Sequence, residues 1–208
     1  MLKLRSGRGF SLIELMVAVS IAGVLLAMAL PAFSGWLVNS RIRAAATDFY
    51  TGLQQAKTEA ITRNTQVRFS SVTSVTAGCA LSNNGTYWII NVVNGTNDVG
   101  GKCNVVADFT TAPLIIAKRA VDPNTTVLVS SSNNVLAFTN LGRVTLQPAV
   151  SPVPVPAANI TYDFTATSNG GCAAAGGNLT CLRVIVSPAG QVRMCNPRYP
   201  AGDPQACN

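Results

Sequence analysis

Glu14 is the only charged side chain between residues 10 and 38, a run of 29 otherwise uncharged, mostly apolar residues. An ionised carboxylate costs about 2.5–3.5 kcal/mol at the centre of a bilayer, so one placed in such a run marks function or an escape to the headgroups. Ahead of it a basic leader with Lys3, Arg5 and Arg8 ends at Gly9, and the apolar run begins at Phe10. The second set of reactive side chains is six cysteines, Cys79, Cys103, Cys172, Cys181, Cys195 and Cys207, all beyond the apolar run. An even count on one side of a membrane segment reads as disulfides in an oxidising compartment. Fifteen pairings are possible, and proximity along the chain favours Cys79–Cys103, Cys172–Cys181 and Cys195–Cys207. The last pair would tie down a segment with three prolines and no strand pattern. No pair has CxxC spacing, which argues against a zinc site. The third set is basic: Arg183, Arg193 and Arg198 with Tyr199 near the C-terminus, and Arg143 in an earlier strand.

Other chemistry is excluded by what the chain lacks. It has no histidine, and its eight acidic residues are scattered singly. There is no paired-carboxylate motif, no phosphate-binding loop and no nucleophile elbow, so the sequence predicts no enzyme, no cofactor and no metal. Charged residues make up 11% and apolar ones 48%, a balance suited to a chain partly in a membrane and then packed into an assembly. The formal charge is +7; loss of the leader's three basic side chains would leave +4. That mild excess is compatible with an acidic partner without demonstrating one.

The elements that must position these residues follow from periodicity. A helix over residues 10–38 would reach about 43 Å, enough to span the hydrocarbon, with a kink predicted at Pro31. The basic leader on one side and the cysteine-bearing part on the other predict an N-in, C-out orientation. Ile42, Ala45, Ala46, Phe49, Leu53, Ala56 and Ala60 then recur at three- and four-residue steps, one face of an amphipathic helix. Glu59 and Arg63 form an i,i+4 pair, and Arg63-Asn64 suits a helix end. From residue 65 onward short strands are predicted at 67–70, 87–92, 114–116, 126–129, 135–138, 142–145, 160–164, 182–186 and 191–194, separated by Asn-Gly, Ser-Asn-Asn and Gly-Gly turns. Residues 147–158 hold four prolines and read as a loop. The plan is α+β: one long N-terminal helix on a mostly antiparallel β-sheet domain, with the number of sheets left open. The expected divisions are a leader at 1–9, a membrane helix at 10–38 and a soluble domain at 39–208, made of an amphipathic helix at 39–64 and a β-rich part at 65–208.

The stretch Arg8-Gly9-Phe10-Ser11-Leu12-Ile13-Glu14-Leu15-Met16 resembles the prepilin signal of type IV pilins and type II secretion pseudopilins. The segment Leu53-Gln54-Gln55-Ala56-Lys57-Thr58-Glu59-Ala60-Ile61-Thr62-Arg63-Asn64 is similar to the helix end of FimT/FimU minor pilins and related GspH pseudopilins. So, more loosely, is the closing stretch Ser187-Pro188-Ala189-Gly190-Gln191-Val192-Arg193. This resemblance implies a pilin fold and cleavage between Gly9 and Phe10 by prepilin peptidase, with N-methylation of Phe10. It also implies that Glu14 pairs with the N-terminal amine of a neighbouring subunit. A topmost tip subunit often lacks that glutamate, so its presence implies a place beneath another subunit. Implied partners are other minor pilins, the major pilin and the inner membrane, with a periplasmic domain before assembly and an extracellular pilus after it. Some FimT-type pilins bind double-stranded DNA through a Gly-Arg-x-Arg run; here Gln191 replaces one arginine, which weakens that implication. Ranked readings are a structural minor pilin, a DNA receptor for uptake, and a GspH-like pseudopilin. Two others stay open for the N-terminus: a secretory signal cut at Ala27-Met28-Ala29, and an unprocessed membrane anchor.

Overall fold

The computed structural model describes residues 11–93, 98–108, 110–119, 127–146, 156, 158–167 and 170–207. The leader, the Gly9–Phe10 junction, Thr126 and most of the proline-rich stretch at 147–158 lie outside the described residues. The chain divides into two compact units, Met1–Leu37 and Val38–Asn208.

In the first unit the helix α1 (Leu12–Thr62) begins. Its described apolar side chains, among them Leu12, Ile13, Met16, Val24 and Leu26, are exposed. No single helix among the described residues is long and apolar enough to cross a membrane. The stretches Leu12–Met28 and Phe33–Thr62 pass that test together, by length and composition only. Pro31, where the sequence predicts a kink, falls between them.

In the second unit α1 buries the predicted stripe, Ile42, Ala45, Ala46, Phe49, Leu53, Ala56 and Ala60. It ends at Asn64, whose φ of 50° places it in the left-handed region. Thr65 N–H donates to Ala60 O and Asn64 N–H to Ile61 O, both at 3.2 Å. This is a Schellman ending, and asparagine is one of the few residues that accepts that conformation cheaply.

The strands are β1 (Val67–Val72), β2 (Tyr87–Val92), β3 (Ile115–Arg119), β4 (Val127–Ser131), β5 (Val135–Phe138), β6 (Val144–Leu146), β7 (Ile160–Ala166), β8 (Leu182–Val186) and β9 (Val192–Cys195). They form two antiparallel sheets, β3-β2-β1-β5-β6 and β4-β7-β8-β9. Both pack on one core. Phe49 of the helix contacts Phe69 of the first sheet at 5.8 Å between centroids, and Tyr162 and Phe164 of the second at 5.7 and 5.2 Å. The contacts with Phe69 and Phe164 are edge-to-face, a geometry that adds to the burial energy. Gly52 lets Trp88 lie on the helix, because a Cβ there would sit 2.9 Å from the indole.

The strand β1 is buried along its whole length, unlike an alternating one-sided strand. Its other face is covered by a second apolar cluster of Val72, Cys79, Ile89, Val99, Cys103 and Ile115. The Cys79–Cys103 disulfide sits in this cluster. Polar side chains lie beneath the cover: Asn91 Nδ2 donates to Pro113 O at 3.1 Å, and Ser71 Oγ to Gly85 O at 2.9 Å. Burial pushes the Arg68 guanidinium pKa down, and the Asp98 carboxylate opposes it. Replacing Cys79 and Cys103 together by serine is expected to cost about 3 kcal/mol by the loop-entropy model. Denaturant unfolding of the double variant checks this; a loss below about 1 kcal/mol would mean the apolar cover holds the segment unaided.

The remaining disulfides are Cys172–Cys181 and Cys195–Cys207. The turn closed by the first is not featureless: Ala173–Ala175 makes a single 3-10 turn that ends at Gly176 with φ of 84°.

Candidate functional site

Glu14 stands at the third position of α1, one turn after Ser11. The Glu14 N–H donates to Ser11 Oγ at 3.3 Å, and Leu15 N–H to Ser11 O at 3.2 Å. Ser11 is therefore the helix cap, and Ser-x-x-Glu is the spacing of a capping box. Sequence reasoning passed over Ser11, although that spacing was there to be read. A carboxylate in the first turn also complements the helix dipole, by about 0.3–1 kcal/mol where exposed. Glu14 makes no ion pair among the described residues.

A second constellation lies at the other end of the helix. Lys57 Nζ donates to Gly190 O at 2.8 Å, 133 residues away in sequence. Gly190 has a φ of 79°, and a Cβ on it would lie 1.7 Å from Gly142 O. Gly142, with φ of 74°, is in turn flanked by the Lys57 and Ile61 side chains. Asn140 Nδ2 donates to Asn64 Oδ1 at 2.9 Å, and Val144 N–H to Pro188 O at 3.1 Å. The helix end, the β5–β6 turn and the β8–β9 turn thus form one junction. Two of its parts are the stretches that carry the FimT/GspH resemblance. Lys57→Met is expected to lower stability by about 1–2 kcal/mol, the worth of a charge-assisted hydrogen bond to a part-buried carbonyl. Thermal unfolding measures it; no shift would show that water replaces the ammonium at no cost.

The five basic and aromatic candidates are divided among different surroundings. Arg183 Nε is engaged with Asp163 Oδ1 at 2.6 Å. Arg183 is opposite Cys195, and Arg193 is opposite Ile185, so the two arginines share one face of the second sheet. Met194, the next residue, turns to the opposite face. Arg143 belongs to the glycine junction, its Cα 3.5 Å from where a Gly190 Cβ would be. Arg198 follows β9, its N–H accepted by Asn196 Oδ1 at 2.9 Å. Tyr199 lines a groove of about 410 Å³ with Met194 and Arg43 of α1. Of the β9 residues, Met194 and Cys195 line it.

Asp48 on α1 pairs with Arg119 at the end of β3 at 3.0 Å. Burial raises its carboxyl pKa, and the Arg119 guanidinium and Trp88 indole pull it back in part. A raised carboxyl holds its proton more tightly in the folded chain, so this site lowers stability as pH rises through the acidic range just above the usual aspartate value.

Known proteins bear on this arrangement in two ways. Residues 4–30 match the prokaryotic N-terminal methylation motif, and residues 45–190 match the family described as type II transport protein GspH. No curated protein matches the chain. Two crystal forms of the type IV minor pilin FimU of Pseudomonas aeruginosa are similar to it in structure. One is 17% identical with a TM-score of 0.48, over 81% of this chain and 96% of that one. The other is 18% identical with a TM-score of 0.45, over 80% and 99%. The GspH match takes in most of the chain, from the buried half of α1 to the Gly190 turn, and the protein belongs to the GspH family.

Proposed function

We propose that this chain is a structural subunit of a type IV pilus, a minor pilin near the filament tip that helps to start assembly. The observation that carries the reading is the pairing of a methylation-type N-terminus, with Glu14 in its first helical turn, to a GspH-family domain. Prepilin peptidase cuts between Gly9 and Phe10 and Phe10 is methylated. The apolar helix holds the chain in the inner membrane, N-in, with residues 39–208 in the periplasm. Glu14 then pairs with the amine of a neighbouring minor or major pilin as the subunit leaves the lipid. Pairing lowers the cost of two charges in hydrocarbon and sets the register of docking. Three disulfides suit a domain that ends outside the cell.

The second reading, a pseudopilin of type II secretion, is favoured by the description of the family itself. A deletion strain separates the two: loss of surface pili with secretion intact supports the first, and loss of secretion with pili intact supports the second. A role as DNA receptor asks Arg143, Arg183, Arg193, Arg198 and Tyr199 to act on one ligand, and Arg183 is already paired with Asp163. The same strain scored for transformation, with a gel shift of the purified chain at low salt, tests it. Absence of a shift at micromolar protein would retire that role.

A further inference from the structure

The groove beside β9 has a chemistry that the assembly reading does not use. One wall is α1, where Arg43 and Thr47 are four residues apart and so share a face. The floor is Leu182, and Met194 and Tyr199, 41% and 40% exposed, present apolar surface to the opening. The other wall is the C-terminal segment with Gln205. That wall is held in shape: Cys195 is bridged to Cys207, and Asn196 N–H donates to Gln205 O at 2.8 Å. Among the described strands β9 is the last of its sheet, so one of its edges has no partner strand. No carboxylate lines the groove, and Arg43 makes no ion pair among the described residues.

We propose that this groove is a docking site for an extended, acidic segment of a partner protein. An added strand would pair its backbone along β9, as peptides do at open sheet edges. Successive side chains of a strand point to opposite faces. An apolar side chain of the occupant would enter between Leu182, Met194 and Tyr199, and a nearby carboxylate would meet the Arg43 guanidinium in a charge-assisted pair. The cross-linked wall lowers the ordering cost, because the groove exists before the partner arrives. A nucleic acid fits less well: its affinity comes from many phosphate contacts, and the groove offers one cation over an apolar floor.

The test uses the full-length chain in detergent micelles and fluorescence anisotropy. The probes are fluorescein-labelled Val-Asp-Val-Glu-Val-Asp, its counterpart with lysine at each acidic position, and a labelled single-stranded 12-nucleotide DNA. The acidic peptide is expected to bind saturably and at least ten-fold more tightly than the lysine peptide. Arg43→Glu and Met194→Asp should each lower that affinity at least ten-fold, while Lys102→Glu, an exposed cation outside the groove, should change it less than two-fold. Unfolding midpoints of all variants are compared. If Arg43→Glu is destabilised, Arg43→Gln takes its place, with a loss of at least three-fold expected. No saturable binding, an equal loss in Lys102→Glu, or tighter DNA binding that displaces the peptide would each overturn the proposal. The measurement involves no filament, so its failure leaves the assembly reading standing, and failure of that reading leaves the groove standing.

Discussion

Gly190→Ala is expected to destabilise the domain by about 4 kcal/mol or more, an exceptional loss for one methyl group. Two costs add. The left-handed φ of 79° carries about 1–2 kcal/mol for a residue with a Cβ. The second cost is steric, because that Cβ would lie 1.7 Å from the carbonyl oxygen of Gly142. The obstacle is backbone, so no rotamer change relieves it, and the two turns must separate. Separation also breaks the Lys57–Gly190 bond and pulls on Val144 N–H, which donates to Pro188 O. Gly202→Ala is the control: its φ is 98° but nothing lies within 4 Å of the new methyl, so only the conformational cost of about 1–2 kcal/mol applies. Denaturant unfolding of both variants measures the difference. Equal losses would show that the contact between the turns relaxes freely.

Glu14→Ala is expected to be cleaved and inserted normally, and to enter filaments on the order of 100-fold less well, the scale of a pair broken in a low-dielectric setting. The Ser11 cap gives this experiment a second arm. Glutamine at residue 14 can still serve a capping box, but it carries no charge. If Glu14 mainly starts the helix, Glu14→Gln should assemble like the parent chain. If it pairs with an amine, Glu14→Gln should fail as alanine does. Immunoblots of sheared filaments against membrane fractions read the outcome, and normal incorporation of both variants would sink the pairing role.

Local patterns in the chain were legible because local physics decides them. The apolar stripe from Ile42 to Ala60 is buried, since three- and four-residue spacing places those side chains on one face whatever they pack against. All nine strands form near where β-branched runs between turn residues place them. The starts shift by at most two residues, as at β3, which starts at Ile115 rather than residue 114, and β9, which starts at Val192; the end of β3 lies three residues beyond the predicted one, at Arg119. The arginines were legible as charges and not as a site. Period two sets which face Arg193 takes relative to Met194, but the pairing of Arg183 with Asp163 depends on the β7–β8 register.

The amino-acid sequence by itself determined the parts: one lone carboxylate in a long apolar run, a glycine before it, an amphipathic helix, short strands and an even set of cysteines. Tertiary structure alone decided how those parts meet. It sorted interleaved strands into two sheets around Phe49, and buried β1 on both faces beneath the Cys79–Cys103 segment. It brought Lys57, Gly142 and Gly190 into one junction, and opened a groove between Arg43 and Tyr199. Contacts between residues a hundred or more positions apart are selected by the packing of the whole core, and no spacing within a short window encodes them.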